Sequence, residues 1–446
     1  MTRSERWFPL LVALVAVGLV VGGSAGRAEA VVEIQWWHGM DGANEEWVKD
    51  LADGFNKSQS DYHVNAVYKG NYAEVMTGAI AAFRAKQQPH IVQVFEVGTA
   101  TMMAAKGAVK PVYELMVDAG EKFDPKVYLP AVTGYYTTPD GRMLSFPLNS
   151  STPVLYYNKD AFKKAGLDPN KPPTTWPEMG EYGKKIQAAG YPCGFSTEWQ
   201  QWVFLENYSA WHNVPISTKQ NGFAGLDTEL QLNTPIHVRL IDQLAQWQKT
   251  KLFDYGGRKG DAKPKFATGE CGIFLASSAA YGGFVKATEG KFEFGIGMMP
   301  YWPDVKGAPQ NSIIGGATLW VLSGHKLEEY KGVARFFTYL SSPEVQAASH
   351  QRTGYLPITL AAYELTKKQG FYEKNPGTDT SIRQMNNKPP TENSKGLRLG
   401  NYVQIRDVMD EELEAVWAGK KTAKEGLDAI VKRGNELLRQ FERTNR

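Results

Sequence analysis

Between Glu33 and Glu96 the chain switches back and forth between two apolar periodicities, and this switching limits the possible folds more than any other feature. Glu33-Ile34-Gln35-Trp36-Trp37 reads as a strand closed by Gly39 and Gly42. Trp47, Leu51 and Phe55 then recur at helical steps, flanked by Val48 and Ala52, which makes one apolar face. Tyr62–Tyr68 returns as a strand. Val75, Met76, Ala79, Ile80 and Phe83 fall on one face of a second helix, and His90–Glu96 is a third strand with an apolar middle. A βαβαβ order of this kind predicts a parallel, doubly wound α/β sheet.

From about Thr133 the texture changes. Pro139-Asp140-Gly141 predicts a turn, Val154–Tyr157 a strand, Met299–Pro303 an extended crossing and Thr318–Leu322 a further strand entered through Ile313-Ile314-Gly315-Gly316. The C-terminal part reads as helical. One helix ends near Trp417-Ala418-Gly419, and the next opens at Thr422-Ala423-Lys424-Glu425 with capping-box spacing. The 446 residues allow two or three domains, and no internal repeat or low-complexity stretch interrupts them.

Residues 1–30 predict a secretory signal. Arg3 and Arg6 precede an apolar run over Phe8–Val21, and Ala28-Glu29-Ala30 fits a small-x-small cleavage pattern. The run is shorter than the roughly 20 apolar residues of a membrane anchor, and no cysteine follows it for lipid attachment. Cleavage after Ala30 would leave 47 basic and 45 acidic side chains, since Arg3, Arg6, Arg27, Glu5 and Glu29 depart. So balanced a chain is no nucleic-acid binder. At 42% hydrophobic and 22% charged it is neither disordered nor collagen-like. Cys193 and Cys271 are the only cysteines; they could pair in an oxidising compartment.

Catalytic signatures are missing. No two of the seven histidines have helical metal-ligand spacing, and there is no HExxH, GxSxG, Walker loop or GxGxxG after a strand. A carboxylate pair of the glycosidase kind could still hide among 47 acids. No metal and no cofactor is expected.

The run Pro147-Leu148-Asn149-Ser150-Ser151-Thr152-Pro153-Val154-Leu155-Tyr156-Tyr157-Asn158-Lys159-Asp160-Ala161-Phe162-Lys163-Lys164 resembles the signature of extracellular solute-binding proteins that serve ABC importers. Trp417–Thr422 followed by Leu427 is similar to that family's C-terminus. Further islands, Tyr68–Tyr72, Glu96–Met103, Thr353–Pro357, Lys388–Pro390 and Gly396–Asn401, most resemble the members that bind sn-glycerol 3-phosphate. The resemblance implies a type II periplasmic binding protein fold: two α/β lobes, each a doubly wound sheet flanked by helices, with ligand in the cleft between them. The expected lobes are 31–147 plus 304–355 and 148–303 plus 356–446, with crossings near Pro147, Trp302 and Tyr355.

Glu96 ends its strand just before Gly98, where ligands of open α/β sheets sit, and its carboxylate suits the hydroxyls of a glycerol. The other site residues are carried by the resemblance. Tyr72 and Tyr355 would donate phenolic hydrogens to phosphate, Arg406 would grip it with paired donors, and Ser151 and Ser277 would add hydroxyls. Ser150 and Ser278 are adjacent alternatives. Gly316 would offer a backbone N–H that only a residue without a side chain lets an anion approach. Trp199 and Trp202 would cover the C–H surface of the polyol. Phe95 stands where the family would have tyrosine, which removes a hydroxyl beside Glu96.

The implied action is capture of sn-glycerol 3-phosphate, and of diesters such as glycerophosphocholine, by hinge closure in the periplasm. A monomer would then deliver the ligand to two inner-membrane permease subunits driven by a cytoplasmic ATPase. The alternatives are a binder of neutral oligosaccharides on the same fold and an exported glycerophosphodiester hydrolase.

Overall fold

The computed structural model describes residues 31–138 and 140–445; the signal segment and Pro139 of the expected turn lie outside them. Among the described residues ten strands form two sheets. They are β1 (Val32–His38), β2 (Tyr62–Tyr68), β3 (Ile91–Phe95), β4 (Val109–Lys110), β5 (Phe146–Ser151), β6 (Pro153–Asn158), β7 (Cys193–Thr197), β8 (Cys271–Ser277), β9 (Phe294–Gly297) and β10 (Gly315–Leu322).

The first sheet runs β2-β1-β3-β10-β4, with β5 also paired to β10. β1 is parallel to β2 and β3, as the βαβαβ order predicts, because each connection carries a helix back over the sheet. The sheet is not parallel throughout: β10 runs antiparallel to β3, β4 and β5. That reversal has a consequence for function. It brings the first residues of β10 beside the last of β3, with Ala317 opposite Phe95.

Helix Gly42–Ser58 buries the five residues its periodicity picked out, Trp47, Val48, Leu51, Ala52 and Phe55. Each large one contributes about 2 kcal/mol of burial. Helix Tyr72–Arg84 departs in part: Val75, Met76 and Ala79 are buried, whereas Ile80 is exposed.

The second sheet has the order β7-β8-β6-β9. β7 and β8 are parallel, and β6 is antiparallel to both its neighbours. Cys193 and Cys271 sit opposite each other on β7 and β8 and form a disulfide. β5 stays with the first sheet beyond Pro147, so the chain changes sheets at Thr152. The segment after helix Pro343–Thr353 lies against that changeover, where Leu356 N–H donates to the Ser150 carbonyl at 2.7 Å. The C-terminal helices are Tyr402–Trp417 and Ala423–Asn445. The second opens with the expected exchange between Thr422 and Glu425. Among the described residues no helix is long and apolar enough to cross a membrane.

Candidate functional site

Between the two sheets lies a cavity of about 160 Å³. All nine residues expected to hold ligand line it: Tyr72, Glu96, Ser151, Trp199, Trp202, Ser277, Gly316, Tyr355 and Arg406. They converge because strand ends converge. Glu96 follows the last residue of β3, Ser151 ends β5, Ser277 ends β8, and Gly316 is at the start of the antiparallel β10.

Tyr72 is the first residue of helix Tyr72–Arg84, whose start is set by a capping box between Asn71 and Glu74. A buried chain of amides orients it. Gly39 N–H donates to Gln93 Oε1, Gln93 Nε2 donates to Asn149 Oδ1, and Asn149 Nδ2 donates to the Tyr72 oxygen at 3.1 Å. The phenol's acceptor side is thereby occupied and its hydrogen left to donate. That hydrogen, and the one on Tyr355, face the Met40 sulfur at 3.9 and 3.6 Å. A thioether is a weak acceptor, so both hydrogens remain available to a stronger one. Burial raises both phenol pKa values, that of Tyr355 to about 12, so both remain donors at neutral pH. Tyr355 is backed by the Trp47 indole, with ring centroids 5.6 Å apart.

Ser277 Oγ accepts from Ala279 N–H at 3.1 Å, which leaves its hydroxyl hydrogen to donate. Ser151 and Ser277 face the cavity, whereas Ser150 and Ser278 are set back in the walls, buried, their hydroxyls without partners among the described residues. Gly316 has φ +103°, and a Cβ there would stand 2.1 Å from the Asn149 carbonyl oxygen. Only glycine fits. Gly315 is confined likewise: a Cβ would meet the Trp202 ring at 2.5 Å, so its absence lets that indole pack beneath β10. Trp199 adopts φ +44°, a strained conformation for a bulky residue, held by its N–H donating to the Lys259 carbonyl at 2.9 Å.

Arg406 does not stand free. Its Nε and Nη2 reach both oxygens of Glu206 at 2.8 and 2.7 Å, and Nη2 also reaches Glu96 Oε1 at 2.5 Å. All three side chains are buried. Burial lifts the Glu96 pKa; for Arg406 burial pulls down, but the two carboxylates outweigh it and hold the guanidinium charged. One guanidinium is thus shared between two carboxyl groups. Among the described residues Nη1 has no hydrogen-bond partner. Phe95, in place of the expected tyrosine, stacks on Tyr72 at 5.3 Å.

Sequence reasoning missed Glu206, although an acid inside the apolar run Trp202-Val203-Phe204-Leu205 signals a buried partner. It sits on a π-helical turn, Trp202–Asn207. Also missed were Glu198, Lys259 and Lys263, which line the cavity from the second sheet's side, and Asp41 from the first.

Among the described residues the nearest approach to a metal-ligand cluster is His90, His325 and Glu329, away from the cleft. Gln35 N–H donates to His90 Nδ1 at 3.0 Å, so the ring hydrogen sits on Nε2 and points at Glu329. A hydrogen, not a lone pair, faces the cluster.

Residues 41–347 match the family model described as bacterial extracellular solute-binding protein. The chain is 55% identical over 424 residues to the sn-glycerol-3-phosphate-binding periplasmic protein UgpB of Pectobacterium atrosepticum, covering 95% of each chain. It is 54% identical over 433 residues to the protein of the same name from Yersinia pseudotuberculosis, covering 97% of this chain and 98% of the other. Among solved structures it is similar to UgpB of Mycobacterium tuberculosis in complex with glycerophosphocholine, with TM-score 0.76 and 22% identity, covering 92% and 99% of the two chains. Maltose-bound MalE3 of T. maritima gives TM-score 0.74 at 20% identity, covering 91% and 100%.

Proposed function

We infer the function from one premise: this chain belongs to the bacterial extracellular solute-binding protein family. It is a periplasmic protein that captures sn-glycerol 3-phosphate for import by an ABC transporter. The observation that carries this is the convergence of donors from both sheets on one cavity, in a chain more than half identical to relatives named for that ligand.

The roles within the cleft divide by charge. Tyr72, Ser151, Ser277, Tyr355 and the Gly316 N–H form a neutral basket of donors, which suits phosphoryl oxygens. Glu96 and Arg406 bond each other at 2.5 Å, so they cannot hold opposite ends of one ligand. Arg406 is therefore better placed as Glu96's companion at the glycerol hydroxyls than as the phosphate's main cation. The carboxylate accepts from those hydroxyls, and Nη1 donates to them. Trp199 and Trp202 cover the carbon skeleton and exclude water, which strengthens each polar contact inside.

The lobes are proposed as 31–151 plus 304–355 and 152–303 plus 356–446, with the first crossing at Thr152 rather than near Pro147 because β5 remains paired to β10. Tyr72 and Gly316 belong to one and Ser277 and Arg406 to the other, so ligand that touches all four favours closure. Diesters such as glycerophosphocholine are accepted too, without hydrolysis. The signal is removed after Ala30, and the mature monomer docks on two permease subunits coupled to an ATPase.

Titration calorimetry of the mature protein with sn-glycerol 3-phosphate, glycerophosphocholine and maltose tests this. Heat with the first two and none with maltose is expected; binding of maltose alone would overturn it. Small-angle scattering should show a smaller radius of gyration with ligand, and release of glycerol 3-phosphate from glycerophosphocholine would reveal catalysis.

A further inference from the structure

With Arg406 held between two buried carboxylates, the phosphoryl charge must be met elsewhere in the cleft. The other cations lining it are Lys259 and Lys263. Lys263 Nζ stands 3.3 Å from Glu198 Oε2, and the second oxygen of Glu198 accepts the Ser277 N–H at 2.8 Å. One carboxylate thus ties the ammonium to the loop that carries the phosphate-donor serine. The two partners differ in access: the Glu198 side chain is 1% exposed and that of Lys263 is 40% exposed. Both side chains line the cavity, and the lysine is the more accessible of the pair. Glu198, the largest influence on Lys263, keeps it protonated. The other groups that face it are Asp41 and Tyr355 from across the cleft, with Lys259 on its own loop.

We propose that Lys263 is the counter-charge for the phosphoryl group and that it biases this binding protein toward dianionic monoesters over monoanionic diesters. This rests on the function proposed above. A monoester carries up to two negative charges above its second pKa of about 6, and a diester carries one. An ammonium at the phosphoryl end attracts the first more strongly, and the difference disappears when the ammonium does.

The test is calorimetry at pH 7.5 on wild type, Lys263→Met and Lys263→Arg with sn-glycerol 3-phosphate and glycerophosphocholine. Lys263→Met should weaken monoester binding roughly tenfold and diester binding by no more than about threefold, while Lys263→Arg keeps the wild-type ratio. Lowering the pH from 7.5 to 5 should reduce wild-type affinity for the monoester and change that of Lys263→Met less. An unchanged monoester-to-diester ratio in Lys263→Met, with both affinities kept or both lost alike, overturns the inference. If wild type binds neither ligand, the reading of the cleft fails instead.

Discussion

Arg406 shows how much one side chain decides here. Its removal leaves Glu96 and Glu206 buried near one another without their shared cation, so Arg406→Ala should destabilise the fold by about 3–5 kcal/mol as well as abolish ligand binding. Protonation of the stranded acids relieves the repulsion. The loss relative to wild type should therefore be smaller at pH 5 than at pH 8, a comparison that urea denaturation at the two pH values makes directly. Trp199 makes the opposite case, a residue held in strain for its side chain. Trp199→Gly relaxes a backbone at φ +44° and removes an indole from the cleft. Stability should stay within about 1 kcal/mol of wild type while affinity falls. A fall in both by comparable amounts would show that the indole serves packing alone.

Among elements, β10 matters most. As an antiparallel strand between β3 and β4 it closes the first sheet, and it also delivers Gly315 and Gly316 to the carboxyl end of β3. A parallel β10 would have sent them to the far edge. Helix Tyr402–Trp417 plays the matching part for the other side by carrying Arg406 to Glu96. β7 and β8 are joined by the Cys193–Cys271 disulfide, which closes a loop of 78 residues in the unfolded chain. By loop-closure entropy that contributes about 4 kcal/mol. Cys193→Ser with Cys271→Ser should lower the unfolding free energy by that order, and wild type in reductant should match the double variant. Because the bridge is remote from the donors, ligand affinity of the folded variant should be kept.

At the scale of the whole molecule, buried histidines set the acid limit. His38, His90, His212 and His350 are pressed down to a pKa of about 4, and His237 to about 3, in each case mainly by burial. In the unfolded chain these imidazoles take up protons near pH 6.5; in the folded chain they do not until pH 4 or below. The unfolded state therefore binds more protons in between, and stability present above pH 6.5 drains away as the pH falls toward 4. Thermal melts across that range should show a falling Tm. A flat Tm would mean that the histidines find new partners when charged.

The amino-acid sequence by itself determined the class of fold, the strand and helix order through Glu96 and the capping box at Thr422–Glu425, and the resemblance it carries picked out nine of the residues that line the cavity. These were legible because periodicity, capping and strand-end position are local properties, and because a long signature resembles a known family. Three things were decided only by tertiary structure: the reversed direction of β10, the pairing of Cys193 with Cys271, and the capture of Arg406 by Glu96 and Glu206. Each joins residues far apart in the chain, and no local pattern records which distant strand or charge will arrive. Ile80 makes the same point in reverse: its helical period places it on the apolar face, yet it is exposed in the folded chain.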